Sequence, residues 1–232
     1  MQIKNKITLK IIFFLSLFVF NTNLQADEFN ISAKEISIDS AKDIVFGKGS
    51  VEVTDSAGRI IKGDKVTYEK LKELLIVEDA VEIFDIEGNI LKTDKAIYNK
   101  FKETIVTYEN TELTIKEGYK LTTNKILYNT DKKIISSDQD STFTDMDNNI
   151  VTVNMFQYHL EKNLFSSVGK IEIIDVNKNK YFFKELHVDT QKKEMIGSDV
   201  SVILDQESFG VNKENDPRFV ANDLFMSKDK ST

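Results

Sequence analysis

Few residues of this chain are of the kinds that run reactions. It has no cysteine, so thiolate nucleophiles, disulfides and cysteine-bound metals are excluded. Its two histidines, His159 and His187, fall in neighbouring stretches of similar sequence. No Gly-x-Ser-x-Gly elbow, metal-spaced histidine pair or phosphate-cradling loop accompanies them. Carboxylates gather in "DQDSTFTDMDNN" (138–149) and "DVNKNK" (175–180), which raises calcium as a question. An EF-hand loop begun at Asp145 or Asp175 would put Ile150 or Lys180 where glycine is required, and Phe156 or Leu186 where the last carboxylate is required. Both stretches therefore read as turns. The expectation is no catalytic residue, no metal and no cofactor. A polysaccharide lyase with acid and base on one exposed sheet is the enzymatic alternative, although the charges are spread evenly over turns rather than gathered.

What must position these residues is a repeat. Blocks beginning at Ile31, Ile61, Leu91, Leu121, Val151 and Tyr181 align with no insertion or deletion between them, a period of 30 residues. The sixth place holds Ile36, Val66, Ala96, Ile126, Phe156 and Leu186, and the eighth holds Ile38, Tyr68, Tyr98, Tyr128, Tyr158 and Val188. Apolar residues two apart share one face of a strand, and β-branched and aromatic types suit a half-buried pleated surface. The twelfth place is lysine throughout (Lys42, Lys72, Lys102, Lys132, Lys162, Lys192), in a polar turn. An ammonium there can meet a phosphate; a solvated turn residue that discourages stray edge pairing is the simpler expectation. The fifteenth place holds Val45, Leu75, Ile105, Ile135, Phe165 and Met195, and a third stretch carries Val53, Ile83, Leu113, Phe143, Ile173 and Ile203. Gly58, Gly88 and Gly118 supply positive-φ turns between units.

The chain is 41% hydrophobic and 30% charged, with one proline, Pro217, and no helical apolar stripe of useful length after residue 26. It reads as all-β, with roughly 16 to 18 strands in two stacked sheets on the order of 40 Å long. Lys4, Lys6 and Lys10 before "IIFFLSLFVF" (11–20) mark residues 1–26 as a cleaved signal peptide. Loss of those lysines moves the net charge from −7 to −10, which argues against nucleic acid. Repeats are expected over 27–210, then an insertion at 211–218. The pattern resumes at 219–232, with Met226 in the eighth place and Lys230 in the twelfth, as the start of a further repeat.

The strands "KGDKVTYEK", "KTDKAIYNK" and "TTNKILYNT", with "GKGSVEVTD" (47–55) and "ENDPRF" (214–219), resemble the OstA-like family. Its members are the periplasmic lipopolysaccharide carrier LptA and the N-terminal domain of the outer-membrane assembly protein LptD. The resemblance covers about residues 28–210. It implies a β-jelly roll, or β-taco, of antiparallel strands in two facing sheets, with lipid A acyl chains in an apolar groove. It also implies a periplasmic location, lipopolysaccharide as ligand, and units joined edge to edge into a bridge.

The groove lining expected on these grounds is Ile36, Ile38, Val66, Tyr68, Tyr98, Ile126, Tyr128, Phe156 and Tyr158, with Val53, Ile83, Leu113, Phe143 and Ile173 opposite. Each of these side chains could equally sit in a dry core, which is the reading for a structural scaffold or adhesin. Association is expected head to tail, with copies of the chain or related jelly-roll partners, with Ile36 and Ile38 flanking one edge and Phe225 the other.

Overall fold

The computed structural model describes residues 29–115, 118–205 and 217–227. The expected signal peptide, Lys230, and all but the last two residues of the expected insertion lie outside them. The described chain is nearly all strand, and its organising unit is a pass of about ten residues. Eight passes are continuous: β3 (Ile44–Asp55), β4 (Ile60–Glu69), β5 (Leu74–Phe84), β6 (Ile90–Asn99), β15 (Leu164–Ile174), β16 (Lys180–Asp189), β17 (Glu194–Ile203) and β18 (Arg218–Ser227). Five are split near their midpoints. These are β1 (Phe29–Ser32) with β2 (Glu35–Asp39), β7 (Thr104–Tyr108) with β8 (Thr111–Thr114), β9 (Lys120–Thr123) with β10 (Leu127–Asn129), β11 (Ile134–Ser137) with β12 (Ser141–Thr144), and β13 (Ile150–Val153) with β14 (Phe156–His159). Each pass pairs antiparallel with the pass before and after it, as at β3–β4–β5–β6 and β15–β16–β17–β18.

Every pass bends in the middle. Register shifts fall between Lys48 and Val51, Glu78 and Val81, and Val168 and Ile171. Positive φ at Ser50, Asp79, Ala80, Glu109, Asn110 and Gly169 accompanies the extra residues. The bend divides the ladder into a sheet beside the lysine turns and a sheet beside the glycine-type turns. The two face each other as the jelly-roll reading expects. They are not separate sheets built from different strands, because each pass contributes to both. Thirteen passes at about 4.8 Å make a ladder of roughly 60 Å, longer than the 40 Å expected from dividing the strands between two sheets.

Side-chain caps fix both kinds of turn. On the lysine side, Asp39 and Asp189 accept the backbone N–H groups of Lys42 and Lys192, and Asn99 and Asn129 accept those of Lys102 and Lys132. The next residue is left-handed in every unit: Asp43, Glu73, Glu103, Lys133, Asn163 and Lys193. Its carbonyl accepts from the following unit's turn, as Lys100 N–H to Glu73 at 3.1 Å and Thr130 N–H to Glu103 at 2.8 Å. Lys42, Lys72 and Lys192 are exposed and pair locally with Asp39, Glu69 and Asp189, as expected of solvated turn residues. On the other side, Asp55, Asp85, Asp145 and Asp175 each accept two backbone N–H groups of their own turn. The suspect carboxylates Asp145 and Asp175 are thus occupied as turn caps. Gly58, Gly88 and Gly118 have positive φ there as expected, and Asn148 and Lys178 take the same place later.

The core lies between the two sheets, in two clusters. One runs from Phe29 to Ile105 and the other from Leu121 to Val202, with Leu91 packed against both. Fully burying a Val, Leu or Ile is worth about 1.5–3 kcal/mol, so the inner rows carry the fold. One column needs correction. Val202, not Ile203, lies opposite Tyr181 on the inner face, because the β16–β17 ladder crosses the bend with no register shift, whereas β3, β5 and β15 each carry one extra residue there. At the bend, glycines let the sheets close: a Cβ on Gly63 would stand 2.6 Å from Val77 Cγ1 and 3.2 Å from the Glu78 carbonyl oxygen. Gly63→Ala is therefore expected to cost about 1–3 kcal/mol in chemical denaturation, whereas Lys132→Ala in an exposed turn should stay within about 0.5 kcal/mol.

Candidate functional site: the inner face

Alternation with period two within each half of a pass, with two or three successive outward residues at the bend, gathers the apolar columns on one inner face. On the lysine side the eighth and fifteenth places interleave across the ladder. Ile38 faces Val45, which faces Tyr68, then Leu75, Tyr98, Ile105, Tyr128, Ile135, Tyr158 and Phe165. On the glycine side, Val53, Ile83, Leu113, Phe143 and Ile173 interleave with Ile61, Leu91, Leu121, Val151 and Tyr181. The second set begins the sequence blocks. Its unbroken apolar character was available as a signal, yet it was not among the expected lining.

Of the expected lining, Val53, Val66, Tyr68, Ile83, Tyr98, Ile126 and Phe156 are buried against neighbours. Leu113, Tyr128, Phe143, Tyr158 and Ile173 are half-buried. Ile36 and Ile38 face inward at the first edge, opposite Gly47 and Val45, but are 50% and 64% exposed because no further pass covers them. Phe225, expected to flank the last edge, lies opposite Ile196 on the outer face. Phe219, Leu224 and Met226, opposite Val202, Gly197 and Met195, hold the inward positions there. Among the described residues β1 and β2 are laddered to β3 alone, and β18 to β17 alone.

The two sheets touch through aromatic rings. Phe29 packs edge-on against Tyr68 and Tyr98 at 5.0 and 5.5 Å, and Phe143 against Phe156 and Phe165 at 4.8 and 5.2 Å. Arg59 adds a polar tie. Its Nε donates to Asp55 Oδ2 at 2.6 Å, its Nη2 donates to the Tyr98 hydroxyl at 2.9 Å, and its guanidinium lies 5.0 Å from the Tyr98 ring centroid. Burial works against the Arg59 charge, but Asp55 and Tyr98 outweigh it and hold the group above its ordinary value. Burial raises the Tyr98 hydroxyl, against the pull of Arg59. Burial and the bond to Asp175 raise Tyr181. The sequence gives no hint of Arg59, whose partner Tyr98 is 39 residues away.

Between the clusters, hydroxyls take the inward positions at the bend. Thr93 meets Thr111 at 3.0 Å, Thr111 donates to Thr107 at 2.9 Å, Thr123 meets Ser137 at 3.3 Å, and Ser141 donates to Thr123 at 3.1 Å. All are buried, and each has a partner, as burial of a polar group demands. Sequence reading passed over them because Thr and Ser suit exposed strand positions equally well.

The outer face holds a network that sequence alone did not assemble. His187 Nδ1 lies 3.0 Å from Ser166 Oγ and its Nε2 2.9 Å from Glu185 Oε1. It resembles a nucleophilic triad in composition only. Ser166 lines an outer-face cleft, but the backbone on both flanks of Ser166 is laddered to Gln157 and His187, leaving no pair of N–H groups converging on an oxyanion. His159 stands on β14, with β15 between it and His187. Two clefts, about 390 Å³ beside Leu127, Met155 and Val168 and about 320 Å³ beside Asn110, Glu112 and Thr142, include outer-face residues at the splits. Among the described residues no cluster fit to hold a metal forms, and no helix is long and apolar enough to cross a membrane.

Among solved structures, the chain is similar to LptH, the LptA-homologous periplasmic component of the lipopolysaccharide transport device from Pseudomonas aeruginosa. The identity is 16%, covering 46% of this chain and 79% of that one, with a TM-score of 0.42. No family model matches the chain, and no curated protein matches it in sequence.

The raised Tyr98 value has a measurable sign. The folded state keeps the Tyr98 proton after the unfolded chain has begun to release it near 10.0, so its stabilising contribution is complete below that pH and is lost as pH rises further. Melting temperature should fall more steeply above pH 10 in the unaltered protein than in Tyr98→Phe, checked by thermal melts across that range.

Proposed function

We propose that this chain is a non-enzymatic module of periplasmic lipopolysaccharide transport, which holds acyl chains against its inner face and passes them toward the outer membrane. The observation that supports this most directly is an apolar inner face whose rows run from β2 to β18, the two passes that among the described residues are laddered on one side only. A soluble domain normally closes such a face on all sides, whereas here Ile36 and Ile38 at one end and Phe219 and Met226 at the other are exposed. The repeat and the tyrosine column agree with the OstA-like resemblance. A crosslinking amino acid at Phe143 should capture lipopolysaccharide in cells while one at Lys102, in an exposed turn, should not; capture from Lys102 alone would refute the reading.

The lining proposed for the ligand is that of the inner face: Ile36, Ile38, Val66, Tyr68, Tyr98, Ile126, Tyr128, Phe156 and Tyr158 on the lysine side, and Val53, Ile83, Leu113, Phe143 and Ile173 on the other. The partner surfaces are the edges. Among the described residues β2 is laddered to β3 alone and β18 to β17 alone, and a strand added there would extend both the hydrogen bonding and the apolar face. Ser37→Pro in β2 or Asp223→Pro in β18 removes a ladder donor. Each should weaken head-to-tail association, with copies or related jelly-roll partners, by tenfold or more, roughly the cost of a kcal/mol or two. Sedimentation and pull-down measure this, and unchanged association in both variants would exclude edge pairing.

A packed structural scaffold is the second reading, favoured by the burial of Ile61 and Leu75 at 1% exposure. Native mass spectrometry separates the two, since a scaffold would carry no co-purifying glycolipid.

A further inference from the structure

We infer that acyl chains are accepted by the second half of the inner face, from Leu113 to Met195, while the first half is sealed by a clasp of Phe29, Arg59 and Tyr98. The inference rests on the lipid-carrying reading above and specifies where in the inner face the ligand sits.

Exposure along the rows changes at one place. On the lysine side Val45, Tyr68, Leu75, Tyr98 and Ile105 are all buried, and from Tyr128 through Ile135, Tyr158, Phe165 and Val188 to Met195 every member is half-open. The opposite row follows for most members: Val53, Ile61 and Ile83 are buried, whereas Leu113, Phe143, Val151, Ile173 and Tyr181 are half-open, with Leu91 the half-open exception in the first half and Leu121 and Val202 the buried exceptions in the second. The change coincides with the hydroxyl belt of Thr93, Thr107, Thr111, Thr123 and Ser141, which separates the two apolar clusters.

One column explains the difference. The residue that opens each glycine-side pass is Phe29, Arg59, Asn89, Tyr119, Asn149 and Asn179 in successive units. The first two are long enough to cross between the sheets: Phe29 packs on Tyr68 and Tyr98, and Arg59 donates to the Tyr98 hydroxyl. The asparagines are short and turn back, each donating Nδ2 to its own turn aspartate at 2.7–2.8 Å: Asn89 to Asp85, Asn149 to Asp145, Asn179 to Asp175. Tyr119 is exposed. The same column therefore ties the sheets at Phe29 and Arg59 and not at Asn149 and Asn179, where the packing of Phe143 on Phe156 and Phe165 makes the contact across the gap instead. Half-open apolar rows gain from covering by an acyl chain, whereas rows already buried must first be parted.

The test uses the full chain with labelled Ile and Leu methyl groups and a nitroxide-bearing stearate as probe, read by NMR. In the unaltered protein the methyl signals of Leu113, Ile135 and Ile173 should be lost to broadening, and those of Ile61, Leu75 and Ile83 should persist. Tyr98→Phe keeps the Asp55–Arg59 pair and the ring packing but removes the bond across the sheets. It should bring Ile83 and Leu75 into the broadened set. Equal broadening in both halves of the unaltered protein, or broadening of the first half alone, overturns the division while the lipid reading stands. A first half that stays silent in both Tyr98→Phe and Arg59→Gln overturns the clasp. If no methyl responds anywhere, the lipid reading fails and this inference with it.

Discussion

Everything in this fold depends on the bend in the middle of each pass. A sheet with one apolar face must cover that face, and among the described residues the only helix beside the thirteen passes is a single 3-10 turn at Lys70–Lys72. Bulges at Ser50, Asp79–Ala80, Glu109–Asn110 and Gly169 turn each pass back over the same inner face, so the sheet covers itself. β3, β5 and β15 each hold one more residue at the bend than the passes they pair with, and in both kinds of pass the side chains of the two halves point inward together. β17 lacks that extra residue, which moves the inward place from Ile203 to Val202 while the facing stays intact.

The same bend sets what fills the interior. Near it the sheets are closest, so the inward positions are glycine in places (Gly47, Gly63, Gly197) and hydroxyls in others. The hydroxyls of Thr93, Thr107 and Thr111 satisfy one another and nearby carbonyls, which makes their burial tolerable but adds little apolar contact. Farther from the bend the gap is wider, and tyrosine, phenylalanine and leucine occupy it. Whether the gap closes is then decided by whatever side chains reach across. Arg59, buried beside Asp55, is costly to leave unpaired, so its pairing with both Asp55 and Tyr98 holds the first units together more firmly than apolar contact alone.

Edges follow from repetition. A repeat adds passes one at a time, so the first and last of the described passes have a described neighbour on one side only. Ile36 and Ile38 belong by register to the same rows as the buried residues of the next pass, and differ from them only in lacking a pass beyond. Their exposure is a property of position in the array rather than of residue type.

The sequence by itself determined the local structure: a 30-residue period, strands with tyrosine facing inward, lysine turns, and glycine turns at Gly58, Gly88 and Gly118. These are legible because period-two alternation and positive-φ turns act over a few residues, and six copies make each column readable. The turn role of Asp145 and Asp175 was readable for the same reason. Only the tertiary structure decided that each pass serves both sheets, that Val202 rather than Ile203 faces inward, that Phe225 faces outward, and that Arg59 meets Tyr98. Bulge residues such as Asp79 and Ala80 carry no strong local signature, and one residue more or less in a bulge changes which side chain faces in. Contacts across the gap join residues tens of positions apart, whose meeting depends on how far the sheets stand from each other. That distance is set by all the passes together, and no single stretch of sequence encodes it.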